Sequence, residues 1–274
     1  MNKYLISKIK AVCVTLAVVT QLSSPAAYAA DLVVGANVGY VPFEFQNATG
    51  EIVGFEVDLV REVAKRLNRN LEVVNIPFNG LFSAVQSKRI DIAISGITIT
   101  EKRLASVSFA QPYFDSDQSL SVLATSQIKT VNDLNGKAVG VDTGTTGDVW
   151  ATANQTTYKI ADIRRYEGLQ LAMLDLAAGR IDGYVADIPA LQYYVKDKPQ
   201  FKVVDRIPTG EKYSMMFAKD APLAKEVNDV ITVLKQEGYI AKLHQTWFGT
   251  LPAESSSTSK VEAMPMVGQL SSAQ

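Results

Sequence analysis

The run Phe55-Glu56-Val57-Asp58-Leu59-Val60-Arg61-Glu62-Val63-Ala64-Lys65-Arg66-Leu67, followed closely by Leu71-Glu72-Val73-Val74-Asn75-Ile76, decides the fold class. In the first part, Phe55, Leu59, Val60, Val63, Ala64 and Leu67 recur at helical spacing, while Glu56, Asp58, Arg61, Glu62, Lys65 and Arg66 cover the opposite face. That pattern predicts an amphipathic helix, and the second part predicts a strand. Upstream, Leu32-Val33-Val34-Gly35-Ala36 reads as another strand. Downstream, a short helix over 80–87 leads to a strand over Ile90-Asp91-Ile92-Ala93-Ile94. Strand, helix, strand, helix, strand is the grammar of a doubly wound α/β sheet.

The same grammar restarts near residue 130. A short helix is expected over 130–134, a strand over Ala138-Val139-Gly140-Val141, a helix over 169–178 and a strand over 181–186. The two halves share an echo: Arg89-Ile90-Asp91 leads into a strand ending at Ser95-Gly96. Arg180-Ile181-Asp182, 91 residues on, leads into one ending at Ala186-Asp187. Two α/β units that each place a loop at the carboxyl end of a strand predict two lobes facing a shared cleft. Leu223, Val227, Val230, Ile231 and Leu234 mark a later helix, followed by Tyr239 to Phe248. The stretch 251–274, rich in Ser, Thr, Ala and Met without periodicity, reads as a disordered tail.

Composition narrows the function. The 274 residues are 47% hydrophobic and 20% charged, enough apolar material for a packed core. With 27 basic residues against 28 acidic ones, the chain lacks the basic excess of a nucleic-acid binder or a polybasic membrane-surface protein. One Cys and one His exclude Cys/His zinc sites, disulfide scaffolds and any scheme that needs two histidines. No metal and no cofactor is expected.

Residues 1–29 read as an address. Lys3, Lys8 and Lys10 precede an apolar run from Ala11 to Leu22, and Ala27-Tyr28-Ala29 follows it. A basic start, a short apolar stretch and small residues before a cleavage point make a secretory signal peptide. Twelve helical residues reach about 18 Å, short of the roughly 30 Å hydrocarbon core, which argues against an anchor. Cys13 falls inside the apolar run, too early to become a lipid-bearing first residue. The expected mature protein is exported to the periplasm, has no membrane span and is a monomer.

Three stretches could carry chemistry. Gly144-Thr145-Thr146-Gly147 follows a strand and opens a helix, so its backbone N–H groups could cradle an anion, or it could be a plain turn. It lacks the Gly-Lys-Ser/Thr ending of a nucleotide loop, so a carboxylate fits better than a triphosphate. In Ser95-Gly96-Ile97-Thr98-Ile99-Thr100-Glu101-Lys102-Arg103, Thr100 is a good N-cap and Arg103 sits in the first turn that follows. Its planar fork suits a carboxylate, although an Arg on a short helix is commonly just solvated. The lone His244 has no acid or nucleophile arranged around it and reads as a surface or structural residue.

Several motifs occur together in the order of one family. They are Val41-Pro42-Phe43-Glu44-Phe45, Gly54-Phe55-Glu56-Val57-Asp58-Leu59, the Ser95–Arg103 stretch, Phe109-Ala110-Gln111-Pro112-Tyr113, Ile181-Asp182 with Asp187, and Trp247-Phe248-Gly249. Over about 31–250 the chain resembles the periplasmic polar-amino-acid-binding proteins of ABC importers, the family of the glutamine-, histidine- and lysine/arginine/ornithine-binding proteins. The resemblance implies a type II two-lobed binding protein, with two doubly wound α/β lobes joined by two hinge strands. Lobe 1 would comprise 30–112 and 214–250, lobe 2 118–208, and the hinge 113–117 and 209–213. It further implies that Arg103 grips the α-carboxylate of a free amino acid, helped by Thr98 and the backbone around Thr145 and Thr146. Asp187 and the Gly96 carbonyl would hold the α-ammonium, and Tyr40 and Phe78 would sandwich the side chain. The partner would be the membrane permease of an ABC importer.

Departures from the family pattern bear on selectivity. Many relatives that bind glutamine or basic amino acids carry Asp where this chain has Asn37. Glutamine binders typically place Lys at Asp142 and His at Ala186. Asn37 both donates and accepts, an ionised Asp142 only accepts, and Ala186 does neither. This set disfavours glutamate and aspartate and permits glutamine or a basic amino acid such as arginine. Two other functions share the scaffold: a dehydratase-like periplasmic enzyme using Glu44 or Asp142, and a freestanding protein that presents its ligand to a receptor.

Overall fold

The computed structural model describes residues 31–270, so the expected signal peptide and Cys13 lie outside the described residues, as do 271–274. The first lobe begins with β1 (Leu32–Ala36), a small hairpin of β2 (Phe45–Gln46) and β3 (Ile52–Val53), and α1 (Phe55–Arg66). It continues through β4 (Leu71–Asn75), α2 (Phe78–Gln86), β5 (Ile92–Ile94), α3 (Glu101–Leu104) and β6 (Val107–Phe109). The chain then enters the second lobe along β7 (Phe114–Leu123). A 3-10 turn (Val131–Leu134), β8 (Ala138–Asp142), α4 (Thr146–Asn154), β9 (Asp162–Tyr166), α5 (Leu169–Ala177), β10 (Gly183–Asp187) and α6 (Ile188–Val195) follow. The long β11 (Phe201–Tyr213) leads back to β12 (Met216–Ala218), α7 (Pro222–Gln236) and α8 (Tyr239–Phe248).

Each lobe is built on one five-stranded sheet. The first has order β4-β1-β5-β12-β6, the second β11-β7-β10-β8-β9. In the first, β1 runs parallel to β4 and β5, and β12 runs antiparallel to β5 and β6. In the second, β8 runs parallel to β9 and β10, while β7 runs antiparallel to β10 and β11. The second sheet is therefore inserted into the first lobe. The chain crosses out between Phe109 and Phe114 and back between Tyr213 and Met216, where Asp115 pairs with Lys212 and Phe114 with Tyr213.

The local reasons are those of the pattern. Helix α1 buries Phe55, Leu59, Val60, Val63 and Ala64, keeps Glu56 and Asp58 in its first turn and ends on Lys65 and Arg66, as the helix dipole favours. Gly54 before it has φ 142°, and a Cβ there would stand 2.1 Å from the Phe43 carbonyl oxygen, so only glycine fits. Phe43 sits where the lobe meets the crossing strands, its ring 5.1 Å from Phe114, 5.7 Å from Tyr213 and 5.5 Å from Phe248. His244 joins this aromatic group, stacked 5.6 Å from Phe114 and 4.9 Å from Phe248, with Nδ1 2.7 Å from the Thr250 carbonyl.

The internal echo has one structural meaning in both lobes. Asp91 Oδ2 accepts from the Val33 N–H at 2.9 Å, and the Asp91 N–H donates back to the Val33 carbonyl at 2.8 Å. Asp182 does the same with Ala138, both bonds being 2.8 Å. Ile90 fills the space a Cβ on Gly35 would take, as Ile181 does at Gly140. These duties shorten the strand expected over 90–94 to Ile92–Ile94 and move the one expected at 181–186 to Gly183–Asp187. The helix expected from residue 80 starts earlier, at Phe78, and the one over 130–134 is a 3-10 turn.

The tail differs from the disordered segment its composition suggests. Within 251–270, the Ser257 N–H donates to Asp115 Oδ2 at 2.8 Å, and Glu262 pairs with Lys212 at 2.8 Å. The Lys260 carbonyl accepts from the buried Lys235 ammonium at 2.8 Å, and the Gly268 N–H reaches Glu101 at 2.8 Å. Composition tests for an apolar face. This segment is held mainly by hydrogen bonds to both crossing strands and to the first lobe, with Met264 packed against a core that spans both lobes and Leu270 against a smaller core in the first.

Candidate functional site

The carboxyl ends of β1, β5, β8 and β10 converge between the lobes, where open α/β sheets expose loops and helix starts. One cavity there is lined by Asn37, Tyr40, Phe78, Gly96, Thr98, Arg103, Asp142, Thr145, Thr146 and Asp187, the residues expected around an amino acid, together with Ala186, whereas Glu44, named for an enzyme, is not among them. Ser95, the first residue of the Ser95–Arg103 stretch but given no role of its own, and Gln118, which the sequence did not single out, line it too. The cavity holds about 20 Å³, room for one water.

Arg103 comes from the one-turn helix α3, whose start is capped by Thr100 Oγ1 accepting from the Arg103 N–H at 3.2 Å. Its guanidinium donates to the Thr98 carbonyl at 2.7 Å and, across the cleft, to the Gly144 carbonyl at 3.3 Å. The Phe78 and Phe82 rings flank it at 5.4 Å and 5.2 Å. Phe78 therefore holds the cation in place, in addition to the apolar wall expected of it. Burial lowers this guanidinium to about 10, which leaves it charged. Two of its five N–H groups are engaged, so a carboxylate can still be gripped.

Asp187, where β10 passes into α6, lines the same cavity from the second lobe. Its Oδ2 accepts from the Tyr40 hydroxyl of the other lobe, and its Oδ1 from Gln118 Nε2 at 2.5 Å. Burial, and then the charge of Glu211, pushes its carboxyl well above the usual range. Asp142 ends β8. Its Oδ2 accepts from the Tyr184 hydroxyl at 2.7 Å, while Oδ1 is buried with no partner, and burial pushes the group up to about 7. Thr145 caps α4, accepting from the Asp148 N–H at 3.2 Å and donating to the Asp142 carbonyl at 2.8 Å. Its side chain is thus committed locally.

Glu211 on β11 is the main residue that sequence reasoning missed. Thr98 and Thr146 donate to its Oε2 at 2.7 Å and 3.0 Å, and Gln118 and Thr209 donate to its Oε1 at 2.9 Å and 3.1 Å. The available signal was a run of polar residues, Ser116, Gln118, Ser119 and Ser121, inside an otherwise buried strand.

The family model described as bacterial extracellular solute-binding proteins, family 3, matches residues 32–250. The L-cystine-binding protein of Escherichia coli K12 is 32% identical over 222 residues, spanning 80% of this chain and 82% of that protein. The arginine-, lysine-, histidine-binding protein of Geobacillus stearothermophilus is 34% identical with a TM-score of 0.76, covering 82% of this chain and 97% of its own. An ancestral arginine-binding protein solved with arginine is 32% identical, with a TM-score of 0.76 over 80% of this chain and 98% of its own. It has also been solved with glutamine.

Proposed function

The chain belongs to the bacterial extracellular solute-binding proteins of family 3, and from that membership we propose that it captures a polar L-amino acid between its two lobes and delivers it to an ABC importer. The observation that carries this reading is the pairing, inside one closed cavity, of the cation Arg103 from the first lobe with the carboxyl of Asp187 from the second. A zwitterion needs both, desolvated together, with apolar faces between them. Arg103 takes the α-carboxylate with the backbone around Thr145 and Thr146. Asp187 and the Gly96 carbonyl take the α-ammonium. Tyr40 and Phe78 flank the side chain. The strands around 113–117 and 209–213 serve as the hinge. The protein acts in the periplasm as a monomer and meets the permease there.

The side-chain end of the cavity calls for a donor. Asp142 carries a buried acceptor oxygen, Asn37 adds an amide, and Arg103 is the one cation among the lining residues. Glutamine or a basic amino acid such as arginine meets that demand, and glutamate does not. A thermal-shift screen over the twenty amino acids tests the reading: a ligand at a hundred times its Kd adds about 2.7 kcal/mol of stability.

A further inference from the structure

The motifs Val41–Phe45 and Gly54–Leu59 each bury one glutamate, and neither glutamate lines the cavity. Glu44 and Glu56 are both 0% exposed and stand beneath Ser95 and Gly96, which do line it, each bonded to one of that adjacent pair. Glu44 Oε1 accepts from the Ser95 hydroxyl at 2.7 Å, and Ser95 Oγ in turn accepts from the Asn37 N–H at 3.3 Å. Both oxygens of Glu56 accept from the Gly96 N–H, at 3.0 Å and 3.2 Å, and Oε1 also accepts from the Tyr113 hydroxyl at 2.6 Å. Gly96 itself is held at φ +55° with the Tyr40 ring against it.

We propose that Glu44 and Glu56 are positioning residues of the cavity, sharing one proton that resides on Glu44, and that this pair makes the set of Ser95, Gly96 and Asn37 depend on pH. The proton's place follows from the donors. Glu56 faces two donor groups and stands in the first turn of α1, where the helix dipole favours an anion. Glu44 faces one donor, and its Oε2 accepts nothing. Two neighbouring buried anions repel strongly, so burying both carboxyls without a cation favours one proton between them. No lysine or arginine is ion-paired to either among the described residues. The titratable group facing the pair is Tyr113 from the segment after β6, held in the phenol form by burial, while the Tyr40 hydroxyl turns to Asp187. Burial first, and then the Glu56 charge, raises the Glu44 carboxyl, in keeping with that placement. A raised group supports the fold while protonated, and that support is lost as pH rises through its folded-state value.

The affinity part rests on the amino-acid-binding reading, so the test has two arms. In calorimetry with L-arginine and L-glutamine as probes between about pH 6 and pH 10, Glu44→Gln should bind within about threefold of the unaltered protein at low pH. The amide donates as the protonated acid does. The unaltered protein should then lose about tenfold in affinity relative to Glu44→Gln as pH rises, and Glu56→Gln should bind about tenfold more weakly throughout. Infrared spectroscopy of the ligand-free protein at neutral pH should show a protonated-carboxyl band component that Glu44→Gln removes while the Asp142 and Asp187 components, assigned with Asp142→Asn and Asp187→Asn, remain. If neither probe binds but that band is lost, the amino-acid reading falls and the pair stands. If the probes bind and Glu44→Gln follows the unaltered pH profile, or the band is unchanged, the proposal is overturned.

Discussion

Thr98 and Thr146 come from different lobes, lie 3.5 Å apart, and donate to the same oxygen, Glu211 Oε2. A hydroxyl has one proton, so each presents only lone pairs to anything else in the cavity. On the proposed reading, an α-carboxylate would then be gripped by Arg103 and the α4 backbone rather than by the Thr98 hydroxyl. Thr98→Val should weaken ligand binding by less than about tenfold, the size of one modest hydrogen bond. A loss as large as that of Arg103→Ala would show the hydroxyl turned to the ligand.

Glu211 also ties the lobes together. Glu211→Ala removes an acceptor shared by donors from both sides of the cleft, at about 1.5–3 kcal/mol for hydrogen bonds to a charged group. The ligand-free protein should open, seen as a larger radius of gyration in small-angle scattering. An unchanged radius contradicts this.

Arg103→Ala should cost about 3–5 kcal/mol of ligand binding, since it leaves a buried carboxylate without its cation. Arg103→Lys should recover only part. An ammonium lacks the planar fork, and the Phe78 and Phe82 faces now hold a guanidinium. Titration calorimetry on both variants checks this, and full recovery by lysine would show that a point charge suffices.

Asp142 gives the ligand class a pH signature. With its carboxyl at about 7 in the ligand-free cavity, a cationic side chain lowers that value on binding and displaces the proton. Affinity for arginine should therefore rise as pH increases through about 7. Affinity for glutamine should change less, and Asp142→Asn should abolish the arginine dependence. Arginine binding that weakens over the same range would place its side chain elsewhere.

Removal of residues 252–274 should lower thermal stability. Lys235, buried and pulled down to about 8, would keep the Pro112 carbonyl and lose that of Lys260. A buried donor left short of a partner costs about 1–3 kcal/mol. The Lys212–Glu262 pair is partly exposed and adds little by itself. A melting temperature unchanged by the truncation would mean the tail contributes nothing.

How far these residues could be read from the sequence follows from the range of the interactions. Periodicity identified α1, and the repeated Arg-Ile-Asp placed Asp91 and Asp182 at matching strand starts, because both signals are local. Family motifs likewise marked Arg103 and Asp187. Glu211 and Gln118 escaped notice because their direction depends on the pairing of β7 with β11 and on an irregularity between Ile207 and Glu211. No local spacing encodes that register. The tail was misjudged for a similar reason: Ser257 finds its partner, Asp115, 142 residues away.

The central claim is that Arg103 and Asp187 close on one polar L-amino acid whose side chain meets Asp142. Titration calorimetry of the unaltered protein with L-arginine, L-glutamine and L-glutamate tests it most directly. An acidic side chain about 4 Å from an ionised Asp142, at an effective dielectric near 20, is repelled by roughly 4 kcal/mol. Saturable one-to-one binding of arginine or glutamine, at least about a hundredfold tighter than glutamate, is the expected result. Glutamate as the tightest ligand, or no binding of any of the three, would contradict the account.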